Sequence, residues 1–216
     1  MRLHRGAGRA EARAEALRLL DRVRMPQAAQ RLDAWPHQLS GGQRQRVTIA
    51  MALACGPDLL IADEPTTALD ATLQAEILTL IGDLVKDAGM ALLMISHDLG
   101  VMARSVDRVL VMYGGTAVES GPTGEVFGHL AHPYTRGLFA ARPRLGSARV
   151  DGRKPRLATI PGRVPELVDL PPGCPFADRC GWVIPACGRA PPPPVEVGPA
   201  HEARCIRVDE LEALTG

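Results

Sequence analysis

The feature that most constrains the fold is a short apolar run that ends in two adjacent carboxylates. Residues 59–62 are all apolar, and Asp63, Glu64 and Pro65 follow them directly. An apolar run of this length, bounded by turn-forming residues, is typical of a buried strand in a parallel sheet. Because ligands bind beyond the carboxyl ends of such strands, the run predicts an acidic binding site at one edge of the sheet.

The patterns on either side of this run alternate between helix and strand. Helices are predicted where apolar residues recur every three or four positions, and strands where short apolar runs occur. This order favours an α/β fold with a mainly parallel sheet. The predicted helices are residues 10–23, 43–54 and 73–85, and the predicted strands are residues 59–62, 91–95 and 108–112, with a Gly114-Gly115 hairpin turn leading to residues 116–119.

Length and composition exclude several classes of protein. The 216 residues carry 25 basic and 24 acidic side chains, a net charge of +1, so no nucleic-acid partner is expected. We find no signal peptide, and no apolar run approaches the ~18 residues of a membrane-spanning helix. Five cysteines without an export signal argue against a disulfide framework.

Residues 40–43, Ser-Gly-Gly-Gln, come just before a predicted helix. Ser40 is placed to cap that helix, and Gln43 to close a capping box. Free N–H groups at such an end bind anions. Arg44 and Arg46 occupy the region where the helix dipole favours carboxylates, which suggests that a phosphate approaches there. A simple capped helix after a glycine turn explains the same residues equally well.

Three polar side chains follow two of the predicted strands. Asp63 is suited to holding Mg²⁺ through its water shell, and Glu64 to orienting or deprotonating an attacking water. His97 follows the strand at residues 91–95, where it could bond a terminal phosphate oxygen. Each feature alone is more often structural than catalytic.

The order of these motifs, together with residues 67–70, resembles the ABC ATPase family. The resemblance implies ATP and Mg²⁺ as cofactors and a dimer of two ATPase subunits, homo- or heterodimeric, with Ser40 and Gly42 contacting the γ-phosphate held by the partner subunit. It makes Leu39, Ser40, Gly41, Gly42 and Gln43 the signature motif, Asp63 the Walker B aspartate, Glu64 the catalytic glutamate, Asp70 part of the D-loop, and His97 the switch histidine.

The phosphate-binding loop of that family has no match in the sequence. Such a loop needs Gly-x-x-x-x-Gly-Lys-Ser/Thr, but the lysines are Lys86 and Lys154, and neither follows a glycine. We therefore expect an N-terminally truncated ATPase domain that lacks the strand carrying this loop. Such a chain should expose apolar faces of its sheet, and should neither hydrolyse ATP nor fold stably alone.

The region beyond the ATPase motifs is rich in proline and glycine. We expect a partial ATPase domain over residues 1–141 and an extension over residues 142–216. Residues 132–138 and 170–176 resemble the C-terminal extension of dipeptide and oligopeptide importer ATPases, a subfamily that includes nickel importers. The resemblance implies permease subunits and, indirectly, an extracytoplasmic solute-binding protein as partners. It also implies a peripheral location on the cytoplasmic face of the bacterial inner membrane.

Four cysteines lie in the extension. Cys174, Cys180, Cys187 and Cys205 are separated by five, six and seventeen residues. Four thiolates can hold zinc or an iron–sulfur cluster, and the spacing is not that of a zinc ribbon. Some members of the resembled subfamily carry a [4Fe-4S] cluster in this extension, which favours the cluster over Zn²⁺. Unliganded reduced thiols are the alternative.

Two other functions fit the same motifs. An ABC ATPase without a permease could act in repair or translation, although the importer-like extension speaks against it. A non-catalytic remnant or a metal-binding interaction protein would retain the motifs without turnover. The imported solute is not encoded here, because importer selectivity resides in the permease and the solute-binding protein.

Overall fold

A computed structural model describes residues 4, 6–142 and 158–215, and the chain divides into two compact units, residues 1–98 and 99–216. Residues 143–157, which follow the predicted domain boundary and include Lys154, lie outside the described residues. Within the described part of the chain, no helix has the length and apolarity that crossing a membrane requires.

The first unit alternates helices and strands as the apolar pattern predicts. The long helix of residues 71–88 ends at Gly89, which adopts a left-handed φ of +62°. Its buried face confirms the helical spacing, because Ile77, Leu80 and Ile81 are each at most 1% exposed. The elements are α1 (Arg9–Arg22), α2 (Ala28–Arg31), a 3-10 turn (Pro36–Gln38), α3 (Gly41–Leu53), β1 (Leu59–Asp63), α4 (Ala71–Ala88) and β2 (Ala91–Ile95).

Strands β1 and β2 pair in parallel, from Leu59 opposite Ala91 to Asp63 opposite Ile95. Helix α4 connects them, as a parallel crossover requires. Leu60 and Ala62 are buried. The opposite face is not buried within the described residues, in line with the expectation that this sheet exposes an apolar face. There, apolar side chains are about half exposed: Leu59 48%, Ile61 58%, Leu93 50% and Ile95 47%.

The second unit is built on a four-stranded antiparallel sheet, in the spatial order β3 (Arg108–Tyr113), β4 (Thr116–Pro122), β6 (His201–Ala203) and β5 (Val195–Gly198). The predicted hairpin is confirmed: Gly114 and Gly115 have φ values of +53° and +74°, and this two-residue turn makes β3 and β4 antiparallel. Two short strands from the extension complete the sheet. The elements are α5 (Leu99–Ser105), β3 (Arg108–Tyr113), β4 (Thr116–Pro122), α6 (Thr123–Gly128), α7 (Pro133–Ala140), 3-10 turns at Leu167–Asp169, Ala177–Arg179 and Pro185–Gly188, β5 (Val195–Gly198), β6 (His201–Ala203) and α8 (Val208–Thr215).

Candidate functional site

Glu64 and His97 lie in contact at the carboxyl ends of β1 and β2. Oε1 of Glu64 accepts hydrogen bonds from the backbone N–H of His97 at 3.1 Å and from its ring Nδ1 at 2.8 Å. The parallel register places both strand ends at one edge, so two residues 33 positions apart meet there. The Glu64 carboxylate and the His97 imidazole therefore meet at one edge of the sheet.

The backbone of Glu64 is held in an unusual conformation. Its φ is +46°, while its N–H donates to the Ile95 carbonyl at 2.9 Å. Thr67 adds a hydroxyl that donates to Oε2 of Glu64 at 3.3 Å, and Ala68 also has a positive φ, of +63°. Left-handed backbone at non-glycine residues is costly and is concentrated at functional sites. The turn thus aims the Glu64 carboxylate back over the sheet edge toward His97.

The contact shifts the proton affinities of both side chains. The hydrogen bond from His97 lowers the pKa of Glu64 below its ordinary value. The hydrogen bond to Glu64, assisted by its charge, raises the pKa of His97. Since His97 is 83% exposed, solvent screens this interaction strongly. The pair therefore favours an ionised carboxylate next to an imidazole that is easily protonated.

Asp63 is the last residue of β1, and it lies opposite Ile95. Its side chain is exposed, on the same strand face as Leu59 and Ile61. Adjacent strand residues point to opposite faces. Glu64, which follows the strand, bonds His97, so the two adjacent carboxylates have different surroundings.

The predicted capping box at the start of α3 is present. The Gln43 N–H donates to Ser40 Oγ at 3.3 Å, and the Ser40 N–H donates to Gln43 Oε1 at 3.0 Å. The interpretation of Arg46 as a phosphate contact is wrong. Arg46 is buried and donates to the Val23 carbonyl at 2.8 Å and to Glu76 at 3.2 Å, so it joins helices instead. Arg44, by contrast, is exposed.

The predicted D-loop lies directly against the glycines of the signature motif. A Cβ added to Gly42 would come within 2.6 Å of the Leu73 side chain, and one at Gly41 within 3.6 Å of Leu69. Asp70, between these leucines, caps α4 by accepting the Leu73 N–H at 3.0 Å. The start of α3 and the start of α4 are therefore packed together, which gives small residues at 41 and 42 a structural role.

All four cysteines of the extension line one small pocket. Its wall also includes aromatic and aliphatic side chains, among them Phe176, Trp182 and Leu211. The thiols are free, and burial raises the pKa of Cys174, Cys180 and Cys205. As the thiols stand, no three His, Cys, Asp or Glu side chains of the described residues are grouped to hold a metal ion.

One backbone N–H bonds a sulfur of this pocket: that of Arg207 donates to Cys205 Sγ at 3.4 Å. Backbone groups of Phe176 and Ala177 lower the pKa of Cys174, and that of Trp182 lowers the pKa of Cys180, against the larger effect of burial. Hydrogen bonds of this kind favour the thiolate, which is the form that binds a metal. The donor set consists of four thiols, a side-chain type that can hold zinc or an iron–sulfur cluster once it is deprotonated.

Comparison with known proteins gives two family matches and close relatives. Residues 2–67 match ABC transporters, and residues 118–187 match the C-terminal region of oligopeptide/dipeptide transporters. A protein of Brucella melitensis biotype 1 named as a peptide import ATP-binding protein is 54% identical over 214 residues, 99% of this chain and 63% of the relative. Residues 2–67 thus belong to the ABC transporter family, and residues 118–187 to the C-terminal region of oligopeptide/dipeptide transporters.

Other members of the ABC transporter family align over most of the chain. The oligopeptide transport ATP-binding protein OppD of Salmonella typhimurium is 52% identical over 190 residues, 88% of this chain and 55% of OppD. The solved structure of cbiO1 from Clostridium perfringens, part of the ABC transporter complex cbiONQ, matches with a TM-score of 0.51 and 32% identity over 59% of this chain and 50% of that one. The chain spans less than two thirds of the length of these relatives.

The transporter C-terminal region also contains a buried polar cluster that sequence reasoning missed. Glu119 has a fully buried carboxylate that accepts the backbone N–H groups of Ala131 at 2.8 Å and His132 at 2.9 Å, and it lies 2.8 Å from Nε2 of His201. In the sequence, Glu119 is a single glutamate between Val118 and Ser120 on β4, and no motif around it predicts that its carboxylate is buried. The cluster holds β6 and the start of α7 on β4.

Proposed function

We propose that this chain forms the signature-bearing part of an ATP-hydrolysing energy subunit of a bacterial ABC importer for dipeptides or oligopeptides. The observation that carries the proposal is the contact of Glu64 with His97 at the ends of two parallel strands. Family membership and the names of the relatives support the transport role.

Each residue at the sheet edge has a defined task in this proposal. When bound, ATP and Mg²⁺ supply the reactive phosphoanhydride and the charge that neutralises it. Asp63 would hold the Mg²⁺ water shell, Glu64 would orient the attacking water and take its proton, and His97 would orient Glu64 and bond the terminal phosphate. Residues 39–43 would contact the nucleotide bound by the partner subunit, and Asp70 would lie beside them.

Residues 1–216 by themselves should not turn over ATP. The sequence has no Gly-x-x-x-x-Gly-Lys-Ser/Thr, and a lysine in that motif neutralises the β and γ phosphates. The half-exposed apolar face of β1 and β2 supports the same view, because an apolar sheet face of this kind is normally covered by further structure. We propose that polypeptide bearing such a motif completes the sheet over Ile61 and Leu93.

A chimera tests both parts of the proposal. The part of the Brucella melitensis relative outside the matched 214 residues is joined to this chain, and phosphate release is measured with Mg²⁺ and ATP. We expect turnover from the chimera and none from residues 1–216. A chimera that folds and binds nucleotide without turnover would favour the non-catalytic remnant, and turnover by the chain alone would contradict the missing-lysine argument.

The transport partners are proposed from the C-terminal region. Two ATPase subunits, identical or related, would bind permease subunits at the cytoplasmic face of the membrane, with a solute-binding protein acting from outside. Reconstitution of the chimera with the permease of the relative tests this. Peptide-dependent stimulation of ATP hydrolysis is expected, whereas unaltered hydrolysis would favour an ABC ATPase that works without a permease.

We propose further that Cys174, Cys180, Cys187 and Cys205 bind a [4Fe-4S] cluster. The shared pocket and the hydrogen bond from the Arg207 N–H to Cys205 Sγ support this. Anaerobic purification followed by iron, sulfide and zinc analysis tests it. About four irons and four sulfides per chain are expected for such a cluster. One zinc per chain without iron would show that the cysteines bind Zn²⁺ and not a cluster. A folded extension without metal would rule out both metal centres.

A further inference from the structure

The two oxygens of the Glu64 carboxylate accept different sets of hydrogen bonds. Oε1 accepts two, one from the backbone N–H of His97 and one from its ring Nδ1. An ionised carboxylate has about two acceptor sites on each oxygen. The sites of Oε1 are therefore filled, and a water molecule that gives a proton to Glu64 has to approach Oε2.

Thr67 occupies one acceptor site of Oε2. Its hydroxyl donates to this oxygen at 3.3 Å, and in the described part of the chain it is the remaining donor to the carboxylate. One acceptor site is thus left on Oε2, and solvent reaches it because the Glu64 side chain is 34% exposed. The terminal torsion of a glutamate is broad and fixes no orientation by itself. Donors at both oxygens are therefore needed to hold the plane of the carboxylate.

The turn that carries Thr67 is itself held in place. The backbone N–H of Thr67 donates to the carbonyl of Glu64 at 3.2 Å, which closes the turn. The preceding residue, Thr66, is buried, and its hydroxyl accepts a hydrogen bond from Nε2 of Gln74 on α4 at 3.2 Å. The hydroxyl of Thr67 therefore belongs to a turn that is anchored to a helix, and its position relative to Glu64 is defined.

We propose that Thr67 is a positioning residue for Glu64, and that its hydroxyl orients the carboxylate so that the open acceptor site of Oε2 faces the attacking water. The inference rests on the proposed function, in which Glu64 takes a proton from that water. A general base acts only when it lies within hydrogen-bond reach in the correct orientation. A carboxylate held at Oε1 alone adopts that orientation less often. Thr67 takes no proton itself and acts through Glu64.

Steady-state kinetics of the chimera test the proposal. Thr67→Val removes the hydroxyl and retains the branched shape, and we expect kcat for phosphate release to fall about tenfold while KM for ATP is unchanged. Thr67→Ser keeps the donor and should restore most of the rate. In the Glu64→Gln background, Thr67→Val should lower kcat no further, because no base remains to be positioned. Thr79 bonds the Ala75 carbonyl on α4, so Thr79→Val is the matched control and should have the wild-type kcat.

A second measurement needs no nucleotide. In the nucleotide-free chimera at fixed pH, the ¹³C resonance of the Glu64 carboxyl carbon, assigned with Glu64→Gln, should shift in Thr67→Val and keep its wild-type position in Thr79→Val. Thr67→Ala replaces the valine variant should that variant fail to fold.

The outcomes separate this inference from the proposed function. A wild-type kcat or an unshifted Glu64 resonance in Thr67→Val would overturn the role of Thr67 alone. An equal fall in kcat in the Glu64→Gln background would do the same, because Thr67 would then not act through Glu64. A chimera without turnover, or wild-type turnover in Glu64→Gln, would overturn the proposed function, and this inference with it.

Discussion

The backbone N–H and the ring Nδ1 of His97 both bond the same oxygen of Glu64, and this double contact joins the ends of two parallel strands. One side chain thus fixes both the position and the tautomer of the other, since a carboxylate accepts and the Nδ1 must donate. An imidazole held in this way presents Nε2 outward. The catalytic proposal depends on this geometry.

Glu64→Gln in the chimera should lower ATP turnover by about 10²-fold or more, since it removes a general base but retains a group of the same shape. Nucleotide affinity should be unchanged. Steady-state phosphate release and binding of a fluorescent nucleotide check the two expectations. Glu202→Gln, an exposed glutamate on β6, is the control. Turnover at the wild-type rate in Glu64→Gln would contradict the assignment of the base.

The same pair predicts a pH dependence. The raised pKa of His97 gives a stabilising contribution that is present below its ordinary value of 6.5 and is lost as the pH rises through the folded-state value. The lowered pKa of Glu64 gives a contribution that is present above its ordinary value of 4.5 and is lost as the pH falls through the folded-state value. The contact is therefore strongest between about pH 4.5 and 6.5.

NMR titration of the His97 ring measures this directly. In Glu64→Gln the pKa of His97 should fall back toward 6.5, because its largest cause of elevation has been removed. An unaltered His97 titration in the variant would show that the pair does not form in solution.

Gly173→Ala should disrupt the cysteine pocket. A Cβ at this position would lie 2.2 Å from the Cys187 carbonyl oxygen and 2.6 Å from the Gly188 carbonyl carbon. The backbone would have to separate, breaking the 2.8 Å hydrogen bond from the Cys174 N–H to that oxygen. We expect a loss of about 1–3 kcal/mol in the free energy of unfolding, together with weakened metal binding.

Gly181→Ala is the matched control for this change. Gly181 is also next to a cysteine of the pocket, Cys180, but an added Cβ there meets no atom within 4 Å. Thermal unfolding and metal analysis of the two variants should therefore differ. Equal behaviour would show that the close approach at Gly173 is not required.

Arg46→Ala should destabilise the helical part of the first unit by about 2 kcal/mol, because the buried guanidinium bonds the Val23 carbonyl and Glu76. Arg44→Ala, at an exposed position in the same helix, should alter the free energy of unfolding by less than about 0.5 kcal/mol. Urea unfolding of the chimera compares the two. Equal losses in the free energy of unfolding would contradict the structural role of Arg46 and favour a surface role for this side chain.

Local patterns predicted most of the elements of the first unit and the hairpin of the second. Helix α4, the capping box at Ser40 and Gln43, and the hairpin at Gly114 were all predictable, because each depends on residues within a few positions of one another. The burial of Arg46 was not predictable in this way. Its partner carbonyl belongs to Val23, 23 residues earlier in the chain.

The sequence by itself determined the family, the helix and strand pattern and the identity of the acid pair, since these depend on residue type and short spacing. Only the tertiary structure placed His97 on Glu64, gathered four separated thiols around one pocket and buried Glu119 beneath the start of α7. Glu119 and His132 are 13 positions apart in the chain, and Glu64 and His97 are 33 positions apart. Short-range sequence patterns do not predict contacts between residues so far apart in the chain. Strand register, turn geometry and packing bring them together.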